Sequence, residues 1–117
     1  MRKMKLAIPT KGNKGLDDVV SEVFGKAESF TLIEIDDDSI VSVEVVKNPA
    51  TSYKHGAGPI TIKTLIEKEV TAVAARELGL GASTLLEQNN IEKYMVNAGI
   101  PVTKAVQTVL KKIEVCT

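Results

Sequence analysis

Apolar and polar positions divide the chain into short alternating runs, and their periods predict its elements. Lys5–Pro9 (KLAIP) is an apolar run closed by proline, which reads as a strand, and Thr10–Gly15 (TKGNKG) is a polar, glycine-bearing loop. Leu16, Val19, Val20, Val23 and Phe24 fall at helical spacing, so a short amphipathic helix is expected there, with Asp17 and Asp18 as charges in its first turn and Gly25 as its stop. Phe30–Asp36 (FTLIEID) is rich in strand formers. Ile40–Lys47 (IVSVEVVK) alternates, with Val41, Val43 and Val45 on a face expected to be the drier one. The tight link through Asp37-Asp38-Ser39 makes these two strands an antiparallel hairpin, whose second strand is expected at a sheet edge.

Ile60–Glu69 is ambiguous. Its β-branched residues suit a strand, but Pro59 at a first helical position and Ile62, Leu65 and Ile66 at helical spacing favour a helix. Val70–Ala75 (VTAVAA) has the character of a buried central strand. Glu77–Ala82 (ELGLGA) is a second glycine loop, and Thr84-x-x-Glu87 resembles a capping box opening a short helix. Ile91–Val96 continues that helix or forms a strand. The Asn89-Asn90 break and the running βα alternation favour the strand. After Pro101, the positions Val102, Ala105, Val106, Val109, Leu110 and Ile113 make the strongest helical stripe in the chain. The result is an α/β pattern with a mixed sheet: the hairpin supplies the antiparallel strand and the later strands, reached through helices, run parallel.

Composition narrows the function more than the fold. At 117 residues the chain is expected to form one domain with a core of its own. Lys plus Arg equals Asp plus Glu at 15 each, and only 3% of residues are aromatic, which disfavours nucleic-acid binding by charge or by stacking. The one cysteine, Cys116, allows no disulfide framework or Cys-x-x-Cys site, and MRKMKLAIP lacks the apolar run of a signal peptide or membrane span, so the cytoplasm is the default compartment.

The one histidine lies in Tyr53-Lys54-His55-Gly56-Ala57-Gly58-Pro59-Ile60. Gly56 and Gly58 permit close approach of backbone amides to a ligand, and the helix expected after them offers unpaired N–H groups. His55 is a candidate metal ligand or hydrogen-bond donor. Taken alone, a Gly-x-Gly ahead of a helix is most often a tight turn and a loop histidine most often a solvated one. Convergence with the other two glycine loops strengthens the case, because in an open α/β sheet such loops meet beyond the carboxyl ends of the strands where the strand order reverses. The candidate binding set is therefore His55, Gly56, Ala57 and Gly58 with Lys11, Gly12 and Lys14 from the first loop and Arg76, Gly79 and Gly81 from the third.

Ser21-x-x-Phe24-Gly25-x-Ala27-x-x-Phe30, then Asn48-Pro49, then His55-Gly56-Ala57-Gly58 resemble the nitrogenase iron–molybdenum cofactor biosynthesis (accessory factor) family along nearly the whole chain. The resemblance implies a three-layer, ribonuclease-H-like fold with a five-stranded mixed sheet in order 3-2-1-4-5 and strand 2 antiparallel. It also implies binding of an iron–molybdenum–sulfur or related cluster, since one relative holds a molybdenum–copper sulfide cluster, and contact with cofactor-assembly proteins. The chain departs from the family pattern where Ala82-Ser83 replace a usual proline and asparagine and where Arg76-Glu77-Leu78 replace small residues.

Three functions compete. The first is a non-enzymatic carrier of an anionic metal–sulfur cluster, monomeric or weakly dimeric. The second is a metal-free module binding a small anion or nucleotide. The third is a nuclease, suggested by fold analogy and disfavoured because Leu6-Ala7-Ile8 puts no acid at the centre of the first strand. No Ser/His/Asp arrangement supports an enzyme.

Overall fold

Five strands form one sheet in the computed structural model, which describes residues 3–37, 39–52 and 57–116. Strand β1 (Lys3–Thr10) is fully buried from Leu6 onward. It pairs antiparallel with β2 (Ser29–Asp36) and parallel with β4 (Ala72–Ala75). Strand β3 (Ser39–Lys47) pairs antiparallel with β2 at one edge, and β5 (Glu92–Met95) pairs parallel with β4 at the other. The order is β3-β2-β1-β4-β5, as the family resemblance implies. Three helices complete the chain: α1 (Ala57–Glu67), α2 (Leu80–Gln88) and α3 (Val102–Cys116).

The strand alternation sorts side chains into two cores. Leu6, Ile8, Ile33, Ile35, Ala72 and Ala74 pack with Val102, Ala105, Val106 and Val109 of α3 on one face. Ala7, Phe30, Leu32, Val73 and Ala75 pack with Ile62 and Leu65 of α1 and Leu86 of α2 on the other. Burying a Val, Leu or Ile side chain contributes roughly 1.5–3 kcal/mol, so Val102, Val106 and Val109 together hold α3 against the sheet. Phe24 and Phe30, expected in the core, meet edge to face with ring centroids 5.3 Å apart.

Four local expectations are corrected. The segment after the first loop is no amphipathic helix: a single 3₁₀ turn (Gly15–Asp17) leads into extended backbone. Val20 donates its amide to Ile100 O at 2.9 Å and accepts from Gly99 N at 2.8 Å, while Ser21 N reaches Pro9 O at 2.8 Å. These strand-like bonds suit the β-branched Val19-Val20 pair better than a helix does. Second, the drier face expected on β3 stays wet: Val41 is 60% and Val43 39% exposed. As the edge strand, β3 has a partner strand on one side, and among the described residues Gly15 approaches Val43 and Val45. The pairing also shifts between Glu34 and Ile35, leaving Val41 as an extra residue that bends the edge.

Third, Thr84 caps nothing. Helix α2 starts at Leu80, so Thr84 lies inside it and its hydroxyl donates to Leu80 O at 2.9 Å, while Glu87 pairs with Lys93. Fourth, Pro59 is the third residue of α1 and not its first. It remains in the first turn, where the missing N–H has no intrahelical acceptor to lose.

Candidate functional site

The carboxyl ends of β1, β3, β4 and β5 lie at one end of the sheet, and the order reverses between β1 and β4. At this end the start of α1 is fixed by a buried polar cluster centred on Asn48. The Asn48 amide donates to Gly25 O at 3.1 Å and Ala27 O at 3.0 Å, and its carbonyl oxygen accepts from Ala50 N at 3.1 Å. From α1, the Thr61 hydroxyl donates to the same Gly25 carbonyl at 2.7 Å. A side chain on Gly25 would come within 3.8 Å of the Gly58 backbone. The Phe-Gly-x-Ala and Asn-Pro residues that carry the family resemblance therefore tie the first turn of α1 to the sheet.

Three glycines lie at the starts of α1 and α2, the two helices that pack on the Phe30 face of the sheet. Gly58 is the second residue of α1, Gly79 precedes α2 with φ −59°, and Gly81 is the second residue of α2. None of the three has a positive φ. Among the described residues nothing lies within 4 Å of where their side chains would begin. Neither backbone conformation nor protein packing demands glycine here, although glycine in a helix costs roughly 0.5–1 kcal/mol relative to alanine. What the glycines provide is open space over two helix starts, whose first amides lack intrahelical partners. Leu80, 87% exposed, stands between two of them.

The structure divides the sequence-predicted residues. Ala57 is the first residue of α1 and Gly58 the second, with Gly79 and Gly81 at the start of α2 on the same face. His55 and Gly56 lie outside the described residues. Lys11, Gly12 and Lys14 belong to the loop after β1, which is closed by its own contacts. Asp18, expected as a helix-end charge, instead accepts from Gly12 N at 2.9 Å, Lys14 N at 3.3 Å and Val19 N at 2.8 Å, so the loop's own carboxylate occupies the amides expected to face a ligand. Ser29 donates its hydroxyl to Gly12 O and closes the loop from the other side. Lys11 and Gly12 line a hollow of about 410 Å³ with Asn13, Glu28, Ser29, Val45 and Lys47. Ser29 and Val45 share the sheet face of Ile33, which is the α3 face.

Arg76 lines a hollow with Ile100, Lys104 and Thr108, again on the α3 side. The reason is strand alternation, which points Ala72, Ala74 and then Arg76 away from the face of Val73 and Ala75. Thr61 and Lys104 carry no sign in the sequence, and Asp18 is expected from it only as a helix-end charge. Their roles depend on tertiary pairing, and only the polar Asp18 beside two glycine turns gave a local sign. Among the described residues no group of three or more His, Cys, Asp or Glu side chains stands together to hold a metal ion. No helix among them is long and apolar enough to cross a membrane.

A family model described as dinitrogenase iron-molybdenum cofactor matches residues 4–112. The chain belongs to this family. Its fold superposes on the apo form of the orange protein from Desulfovibrio gigas with TM-score 0.84 and 26% identity, covering 93% of this chain and 88% of that one. A NifB-like protein from Thermotoga follows the same fold with TM-score 0.74 and 31% identity over 92% of this chain and 88% of its own. An uncharacterised protein of Methanocaldococcus jannaschii is 29% identical over 94 residues, covering 80% of this chain and 75% of that protein. At the starts of α1 and α2, Gly58, Gly79 and Gly81 each leave open space, and Asn48 ties the α1 start to the sheet.

Proposed function

We propose that this dinitrogenase iron-molybdenum cofactor family member carries an anionic metal–sulfur cluster during cofactor assembly, without itself catalysing a reaction. The observation that carries the reading is the set Gly58, Gly79 and Gly81 at two helix starts, each with no described atom within 4 Å of where a side chain would begin. The cluster is cargo, held by the amides and positive dipole ends of α1 and α2. His55, just before α1 in sequence, supplies one ligating or donating imidazole. Few covalent ligands suit a carrier, which must release what it binds. Membership in the family and the likeness to the apo orange protein support a cluster as the cargo.

The test is anaerobic reconstitution with ferrous iron, sulfide and tetrathiomolybdate, followed by desalting and visible spectroscopy. Wild type is expected to retain coloured cluster. Gly58→Leu and Gly81→Leu, which fill the opening while favouring helix, are expected to lose most of it with unchanged circular dichroism. His55→Ala is expected to retain less and release faster. Colour retained equally by both leucine variants, or not at all by wild type, refutes the reading.

A further inference from the structure

The other side of the same sheet end holds a second feature that the cargo reading does not use. Beyond Met95 the chain turns through Asn97 and Ile100 into α3, and Arg76 leaves the neighbouring strand beside it. Together Arg76, Asn97 and Lys104 border a hollow of about 270 Å³ whose floor is Val96 and Ile100. Arg76, Asn97 and Lys104 are exposed, whereas Val96 is buried. Neither Arg76 nor Lys104 forms an ion pair among the described residues.

Two further hollows among the described residues differ in kind. Glu28 accompanies Lys11 and Lys47 in one, and Glu34, Asp36 and Glu69 accompany Lys3 and Lys5 in the other. In those, lysines have carboxylates at hand. In the Arg76 hollow the lining has two cations, an amide and no acid. Its walls are also braced. Lys104, Thr108 and Lys112 recur every fourth residue along one side of α3. Thr108 donates its hydroxyl to Lys104 O at 3.0 Å, and Lys112 donates to Met95 O at 2.6 Å, which ties the end of β5 to α3 and leaves a third positive charge near the mouth.

We propose that Arg76, Lys104 and Asn97 form an anion site separate from the glycine-lined opening. It takes a small organic or inorganic anion whose paired oxygens, carboxylate or phosphate, face the guanidinium. The planar fork of Arg76 matches two such oxygens at once, Lys104 adds a mobile point charge, and the Asn97 amide supplies a neutral donor. The volume lies just below the roughly 300–1,000 Å³ of drug-sized ligand pockets, so the ligand has few heavy atoms. The apolar floor favours a carbon skeleton between the charged ends over a fully solvated ion. The site lies on the α3 face, and the inference stands independently of the cluster reading.

Titration of ¹⁵N-labelled protein with malonate, with inorganic phosphate, and with chloride at matched ionic strength tests it. Saturable amide shifts centred on Arg76, Asn97 and Lys104 are expected with malonate or phosphate and not with chloride; comparing the first two identifies the preferred source of the oxygens. Arg76→Gln and Lys104→Gln are each expected to weaken binding by about fivefold or more, the loss of one charge-assisted contact. Lys63→Gln, on the exposed side of α1, and Gly81→Leu are expected to leave it unchanged. Since Arg76 and Lys104 are exposed, both variants should fold, and equal melting temperatures verify this. Shifts reproduced by chloride, shifts spread evenly over the lysines, or unaltered binding in Arg76→Gln overturn the proposal. Cluster retention after reconstitution has no bearing on the result.

Discussion

Replacing Asn48 with alanine tests whether the residues that mark the family anchor α1. Asn48 is 1% exposed, and its side chain satisfies Gly25 O, Ala27 O and Ala50 N. Alanine removes these three bonds and the longer one, 3.4 Å, that the Asn48 carbonyl oxygen accepts from the Thr61 hydroxyl. Gly25 O keeps the Thr61 hydroxyl, but Ala27 O and Ala50 N lose the Asn48 side-chain group. At a net ~1 kcal/mol per bond, with up to ~1–3 kcal/mol for a buried group left bare, the loss is about 3 kcal/mol. That is a large share of the ~5–15 kcal/mol that holds a domain of ordinary stability. With a urea m-value of roughly 1.5 kcal/mol/M, within the usual range, the unfolding midpoint falls by about 2 M. Urea unfolding followed by circular dichroism reads this directly, and an unchanged m-value ties the loss to the folded state. Thr61→Val on its own should cost about 1 kcal/mol. Because both side chains reach Gly25 O, the double-mutant cycle should show coupling of at least ~0.5 kcal/mol. A loss below about 1 kcal/mol for Asn48→Ala, or strict additivity with Thr61→Val, refutes the anchoring argument.

Other outcomes follow from the same contacts. Asp18→Ala should speed hydrogen exchange at the Gly12 and Lys14 amides more than tenfold, and exchange rates equal to wild type would show that the carboxylate does not order the loop. Gly81→Ala should stabilise the protein by roughly 0.5–1 kcal/mol, because its backbone suits any residue and the space is open; thermal unfolding checks the sign. Gly15→Ala should instead lower stability, by about 1 kcal/mol, because its φ is +63°. On the sheet, Val41→Thr at the wet edge should change stability by less than ~0.5 kcal/mol, and Ile33→Ala in the α3 core should cost about 3 kcal/mol; similar values for the pair would mean that β3 is covered in solution.

Local sequence determined what local physics controls. The apolar runs of β1, β2 and β4 and the helical stripe from Val102 to Ile113 were legible because a buried strand and an amphipathic helix each impose a period on neighbouring residues. The Phe24-Gly25 and Asn48-Pro49 motifs announced the family, and the strand order followed from it. Which residues share a site was decided by tertiary structure. Arg76 and Gly79 are three residues apart, yet strand alternation aims Arg76 at α3 while the chain from β4 turns Gly79 to the opposite face. Val19 and Val20 have helical spacing with their neighbours, yet they take strand-like bonds to Pro101, Ile100 and Gly99, about eighty residues further along the chain. Val41 and Val43 alternate like a buried strand but lie exposed on the edge strand. In each case the local pattern is compatible with more than one neighbour, and the free energy that selects among them comes from pairing and burial across long sequence separations, which a window of consecutive residues does not contain.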